Sequence, residues 1–289
     1  RGVTKYIYCD DAQAEEDQTE NVTSFDSDGY TVGTGNINTD DKDYISYCWT
    51  EGATPGLDIV TYTGDGSNRT ISHSLGVVPD NIIVKNLSTA DDWAVYNVGS
   101  LWHGAANLGY LVFNTTALSV DDNTYWNDTA PTSSVFSVGT NDDVNKDTSS
   151  MVAYVFANVE GFSSFGKYEG NGSTDGPWIS TGFKPRLVIC KAFTRVEEWS
   201  VRDTGRSGGY FGSAAGTSGR DPTGGNGLQW NVAINDTAAQ EDNATGSRLT
   251  DFLSNGFKIR TTNTALNQNG YGYIYMAWAE SPFKYATAR

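Results

Sequence analysis

Residues 62–86 read YTGDGSNRTISHSLGVVPDNIIVKN and residues 168–192 read YEGNGSTDGPWISTGFKPRLVICKA. These are two copies of one segment, 106 residues apart. The same offset joins Gly64 to Gly170, Gly66 to Gly172, Pro79 to Pro185, Lys85 to Lys191 and, just beyond, Trp93 to Trp199. Each copy carries a Gly-x-Gly turn and then a run rich in β-branched residues entered through Pro, the signature of strands punctuated by tight turns. Self-similarity at a fixed long period marks a chain built from repeated structural units.

The back half of the unit occurs three times, as YISYCW (Tyr44–Trp49), MVAYVF (Met151–Phe156) and YIYMAW (Tyr273–Trp278). Seven residues before the second position of each lies an Asn (Asn38, Asn145, Asn267), and each follows an aliphatic residue (Ile37, Val144, Leu266). Upstream of these, DGYTVG at Asp28, VFSVG at Val135 and NGFKIR at Asn255 align. Asp28-Gly29 and Asn255-Gly256 are hairpin dipeptides between apolar stretches. Aligning Tyr8 with Phe113 and Ile234 extends the match to YIYCDDA, YLVFNTTA and NVAINDTA.

The chain is expected to divide into residues 1–52, the back half of a first repeat; 53–161, a complete second repeat; and 162–289, a third. The front half of the first repeat is expected upstream of Arg1, with supply by a neighbour or outright loss as the alternatives. Short alternating strands separated by Gly, Asn, Asp and Ser predict an all-β fold of tandem β-sandwich repeats, jelly-roll or lectin-like, with little helix. A helical turn is expected within residues 117–127 and at the equivalent 238–251.

A formal charge of -16 and a pI near 4.4 argue against nucleic acid and anionic membranes, since phosphate binding needs clustered Lys and Arg. The chain contains no apolar run of membrane-spanning length, so no membrane insertion is expected. No cofactor is called for. Calcium is kept open for Asp40, Asp41 and Asp43 and for Asp142 and Asp143, though neither cluster has a recognised loop spacing and solvated turn carboxylates are the plainer reading. Cys9, Cys48 and Cys190 are odd in number and read as free thiols, two of them as small hydrophobes in apolar runs.

No catalytic residues are assigned. The two histidines are His73 and His103; His73 has no counterpart in the sister copy and reads as a turn-stabilising side chain. Glu197 and Glu198 beside Trp199 match Asp91 and Asp92 beside Trp93, so these carboxylates are a repeat feature and are expected at a solvated strand entry, not as a glycosidase pair. The Gly-x-Gly motifs lack a βαβ context and are turn glycines. Trp93 and Trp199 read as core; Trp102 and Trp126 read as exposed aromatics.

Taken together, TISHSLGVVPDNIIVKN, DDWAVYN, TSSVFSVGT, VAYVFANVEGFSSFGKYEGNGSTDGPWISTGFKP, DFLSNGFKIRTT and AWAESPFKYATAR resemble a repeated β-sandwich-like domain of unknown function. It is found in tail-fibre and other virion structural proteins of marine tailed phages, notably cyanophages and pelagiphages. The resemblance covers nearly the whole chain and implies a non-enzymatic virion appendage, most naturally a tail-fibre segment used in host attachment and assembled in the host cytoplasm. It also implies a homotrimer whose partners are itself, other virion proteins and, at a contact surface, a host cell-surface glycan. Capsid decoration or a filament, and a glycan-binding module or depolymerase, are the alternatives.

The third copy departs from the second by its length. Trp49 to Phe156 spans 107 residues and Phe156 to Trp278 spans 122, with the surplus in the Gly-rich stretch 204–227. Recognition is usually carried by loops on a rigid scaffold. Ligand contact is therefore expected from Arg206, Tyr210, Phe211 and Arg220, joined by Trp102 and His103. No metal ligands are assigned.

Overall fold

The computed structural model describes residues 2–100, 108–205, 227–228, 230–237, 241–242 and 249–282. The first segment contributes β1 (Lys5–Tyr6) and β2 (Glu16–Asp17), which pair with each other. It then forms a hairpin of β3 (Val22–Phe25) and β4 (Tyr30–Val32) across Asp28-Gly29.

The middle unit runs through β5 (Leu57–Thr63), β6 (Arg69–Ser72), β7 (Asn81–Asn86), β8 (Ala94–Asn97), β9 (Gly109–Val112) and β10 (Val120–Asp121). It continues through the one-turn helix α1 (Asn123–Trp126), β11 (Val135–Val138), the one-turn helix α2 (Asp142–Asn145) and β12 (Ser150–Phe156).

The last unit has β13 (Ser163–Glu169), β14 (Trp178–Ser180), β15 (Pro185–Ala192), β16 (Trp199–Asp203), β17 (Gly227–Leu228), β18 (Trp230–Ala233) and β19 (Glu241–Asp242). It closes with β20 (Thr250–Leu253), β21 (Gly256–Ile259), the one-turn helix α3 (Thr264–Asn267) and β22 (Gly272–Ala279).

The fold is all-β, and the two larger units share one topology. Six antiparallel strands run β5-β12-β7-β8-β9-β10 in the middle unit and β13-β22-β15-β16-β18-β19 in the last. Facing each large sheet is a small one, β6-β11 in the middle unit and β14-β21-β20-β17 in the last. In the middle unit Ile71, Phe136 and Val138 of the small sheet meet Ile82, Val84, Met151, Ala153 and Val155 of the large one. Ile179, Phe257 and Ile259 meet Val188, Cys190, Tyr273, Tyr275 and Ala277 in the same way in the last.

The near-continuous apolar runs of β12 and β22 have a direct cause. Alternate residues of a strand face opposite sides of a sheet. Met151, Ala153 and Val155 face their own sandwich, while Phe156 and the partly buried Tyr154 face a second core shared with the last unit. A strand buried on both faces needs no polar alternation.

The recurring Asn locks the Gly-x-Gly turn to the helical turn. Asn145 is fully buried: its Nδ2 donates to Ser67 O (2.7 Å), Gly139 O (2.9 Å) and Asp65 Oδ1 (3.2 Å), and its Oδ1 accepts from Asp65 N (3.1 Å). Asn267 repeats the set with Ser173 O (2.8 Å), Thr261 O (2.7 Å), Asn171 Oδ1 (3.1 Å) and Asn171 N (2.8 Å). A buried amide with all its polar atoms satisfied holds two loops in one place. Gly66 and Gly172 sit at φ +67° and +66°, where a Cβ would be strained.

Four expectations are corrected. The joints and hairpins equate Tyr8 with Val112, not Phe113: Lys5↔Asp17 and Tyr6↔Glu16 match Gly109↔Asp121 and Tyr110↔Val120 at an offset of 104. Tyr44–Trp49 enters no strand ladder among the described residues, because the strands that flank its counterparts belong to the front half. Cys48, on that segment, is consequently exposed. Trp126 is buried, its ring set edge-on to Tyr96 at 6.1 Å on the inner side of α1. The helical turn within 117–127 is α1, whose N-cap Asp122 accepts from Thr124 N.

Candidate functional site

The most fully built feature of the molecule is the joint between successive units, and it is made twice with the same groups. In the first joint Trp93 Nε1 donates to Tyr8 O (2.8 Å) and Asp11 O (3.2 Å), while Lys85 Nζ reaches Ala12 O (3.1 Å), Asn86 O (2.7 Å) and Asp91 O (3.0 Å). In the second, Trp199 Nε1 donates to Val112 O (2.9 Å), and Lys191 Nζ to Thr116 O (3.0 Å) and Glu197 O (2.7 Å). A backbone bond closes each side, from Glu15 N to Leu87 O (3.0 Å) and from Ser119 N to Phe193 O (2.9 Å).

Both lysines are fully buried. Burial pushes the Lys191 amine down to about 7, opposed by the nearby Glu197 carboxylate. Lys85 is lowered for the same reason, with Asp91, Asp143, Asp92 and Asp11 opposing the shift. Carbonyl oxygens clustered at each Nζ satisfy the donors that burial would otherwise leave bare.

The carboxylates beside each Trp are part-buried, not the solvated strand entry expected. Asp91 accepts from Asn86 Nδ2 (2.8 Å) and sits 3.5 Å from Lys146 Nζ; Asp92 accepts from Asn114 Nδ2 (2.8 Å). Asn114 in turn accepts from Trp93 N (3.0 Å), and Asn235 does the same for Trp199 N (2.8 Å). Glu197 pairs with Arg195 at 3.1 Å. Asn114, itself held by Asp92, and Asn235 thus fix the backbone of the joint tryptophans.

Of the calcium candidates, Asp143 accepts from Tyr125 Oη (2.6 Å) and Asp92 N (2.9 Å), its carboxyl raised by burial, and Asp142 pairs with Lys146 at 3.4 Å. Asp40, Asp41 and Asp43 are exposed. Among the described residues no group of three or more His, Cys, Asp and Glu side chains converges as a metal site. His73 bridges its turn, with Nε2 at 3.0 Å from Thr132 O and Nδ1 accepting from Leu75 N (3.4 Å).

The joints surround a common apolar core. Leu57, Ile83, Trp93, Val95, Leu111 and Phe113 of the middle unit share one cluster with Leu187, Ile189, Trp199, Val201, Ile274 and Met276 of the last, and Ile7 and Tyr47 of the first segment pack against it. Equivalent residues of all three repeats meet here: Trp49 lies 5.4 Å and Phe156 5.8 Å from Trp278, ring centre to ring centre. The contact between the first segment and the last unit is completed by Tyr47 Oη donating to Asp203 Oδ2 (2.8 Å).

The ligand-contact candidates Trp102, His103, Arg206, Tyr210, Phe211 and Arg220 all lie outside the described residues. Their flanks are informative. Trp102 and His103 follow β8 and precede β9, and the long Gly-rich stretch follows β16 and precedes β18, so both belong to the same connection of the repeat. That stretch leaves the large sheet at Asp203 and returns at β17 in the small sheet of the same unit. Its first residue is pinned by Thr204 N to Arg186 O (3.0 Å) and Arg186 Nη1 to Thr204 Oγ1 (2.8 Å). The sequence missed the joints as a functional element, although the shared 106-residue offset of Lys85 and Trp93 with Lys191 and Trp199 carried their signal.

No described helix is long and apolar enough to cross a membrane. A family described only as a domain of unknown function (DUF7483) matches residues 1–282. No curated protein and no solved structure matches the chain.

Proposed function

The chain belongs to the DUF7483 family, and from that premise we propose that it is a non-enzymatic structural segment of a virion appendage of a tailed bacteriophage, a tail fibre used in host attachment. The observation that carries this reading is the joint rebuilt at both unit boundaries: a buried Trp and a buried Lys from one unit donate to backbone carbonyls of the unit before it. Backbone carbonyls are present whatever the side chains, so the joint tolerates sequence drift while fixing geometry. That is a design for a rigid scaffold, and it leaves the β8–β9 type connection to carry recognition.

Self-association as a homotrimer, contact with other virion proteins and binding of a host cell-surface glycan through the residues of the 204–227 stretch belong to the same reading. Adsorption of the purified protein to host cells, with and without residues 206–220, tests it together with immunogold labelling of particles. Saturable binding lost with the stretch, and label on the tail, support a receptor-contact fibre. Label on the capsid shell supports decoration instead, and absence from purified particles refutes a virion role.

A further inference from the structure

Residues 1–52 carry the back half of the repeat, and their apolar surfaces are open where those of the sister units are closed. Tyr44, Ile45 and Trp49 are 52%, 39% and 40% exposed, whereas their equivalents Met151, Val152 and Phe156 are 0%, 0% and 8%. Tyr30 and Val32 on β4 are 36% and 37% exposed against 1% and 0% for Phe136 and Val138 on β11. In the middle unit these positions are covered by three strands of the front half. β5 and β7 pair along the two edges of β12, and β6 pairs with β11. Asn38 tells the same story at the turn: it is exposed and keeps the bond to Gly33 O (2.7 Å), the counterpart of Asn145 to Gly139 O, while the bonds its equivalents make to a Gly-x-Gly turn have no counterpart among the described residues.

A second position points to the same occupant. The carbonyls of Tyr8 and Ala12, and of Val112 and Thr116, receive the Trp and Lys of the following unit. The strand register equates Val112 with Ala233, since Ala94↔Val112 matches Ser200↔Ala233. Ala233 and Thr237 of the last unit are therefore the next receiving pair. The contacts of Trp49 with Trp278 and of Tyr47 with Asp203 already hold the first segment against the last unit.

We infer that residues 20–49 and the Ala233–Thr237 edge together form the receiving site for a third front-half segment, distinct from those of residues 57–97 and 163–203. Its two long strands pair on either edge of Tyr44–Trp49, its Gly-x-Gly turn docks on Asn38, and its Lys and Trp donate to Thr237 O and Ala233 O. The segment completes three sandwiches around one core with pseudo-threefold symmetry, burying apolar surface that otherwise faces water. The inference stands on the repeat geometry alone and is independent of any role in a virion.

The test is a chimera in which a second copy of residues 53–104 precedes Arg1, preserving the 104-residue spacing of the joints. Hydrogen exchange read by mass spectrometry should slow at residues 44–49 by at least about a hundredfold relative to the parent chain, reaching the class of β12 and β22. Prolines at the copied Ile82 and Val84 should return 44–49 to fast exchange. Unchanged fast exchange at 44–49, with β12 and β22 still protected, overturns the inference. The parent chain gives a second reading that does not depend on the chimera folding. Fast exchange at 44–49 in a monomer by light scattering supports an open site, whereas protection of 44–49 in a dimer assigns the site to a second copy and overturns the proposed occupant.

Discussion

Replacing Trp199 by Ala tests whether the joint couples the units. Trp199 is fully buried on β16, its ring edge-on to Phe113 of the middle unit at 4.9 Å and its Nε1 on Val112 O. Truncating a buried Trp costs about 3–5 kcal/mol through lost burial and the cavity left behind. The lost aromatic pair adds about 0.5–1.5 kcal/mol, and the abandoned Val112 carbonyl about 1 kcal/mol. The sum, about 4.5–7.5 kcal/mol, falls on groups that belong to two different units. W199A should therefore shift the urea midpoint and also split a single cooperative transition into two, seen by following far-UV circular dichroism and tryptophan fluorescence together. Trp178→Ala is the control: Trp178 is 48% exposed on β14 and should cost under about 1 kcal/mol. A W199A loss below about 1.5 kcal/mol, or an unsplit transition with the parental slope, would refute a coupling joint.

Asn145→Ala should destabilise by about 2–4 kcal/mol because it strands the polar groups of two loops, whereas Asn38→Ala, with one exposed bond, should cost under about 0.5 kcal/mol; equal costs in thermal melts would show that the lock is not the source of stability. Gly172→Ala, at φ +66°, should cost about 1 kcal/mol, with chemical denaturation as the check. The depressed Lys191 amine sets a pH dependence of definite sign. Above about pH 7 the folded state releases this proton while the unfolded chain keeps it to near pH 10, so stability should rise with pH across that window. The rise is about 5 kcal/mol at most for Lys191, and Lys191→Met should reduce it, leaving the part that the likewise lowered Lys85 supplies. An identical slope in K191M below about pH 9.5 would discard the assignment; above that, phenols such as Tyr62 and Tyr168, raised by burial, act in the opposite direction.

Much of the fold was legible because repetition multiplies weak signals. One MVAYVF is ambiguous between a strand and a short buried helix. The same run with an Asn seven residues before its second position, seen three times, is a structural unit. The all-β class, the hairpins at Asp28-Gly29 and Asn255-Gly256 and the repeat equivalence of the Lys and Trp positions all came from that comparison. The alignment of Tyr8 with Phe113 failed by one residue because both neighbours in YLVF are apolar, and only hydrogen-bond register separates the two faces of a strand. Trp126 was misplaced for a related reason: helical phase over a single turn cannot be read from a motif of four residues.

What the amino-acid order determined by itself is local: where strands and turns fall, which positions correspond between copies, and that each copy carries a Trp and a Lys in step. What only the tertiary structure decided is where those residues go. Lys85 and Lys191 look like ordinary strand-end cations in sequence, yet each is buried against carbonyls contributed by a different unit. Tyr44–Trp49 has the sequence of a central strand, yet it lies open. The physical reason is that a strand is completed by its neighbours: its backbone bonds and its faces are satisfied by segments elsewhere in the chain, and their presence is a property of the assembly, not of the strand.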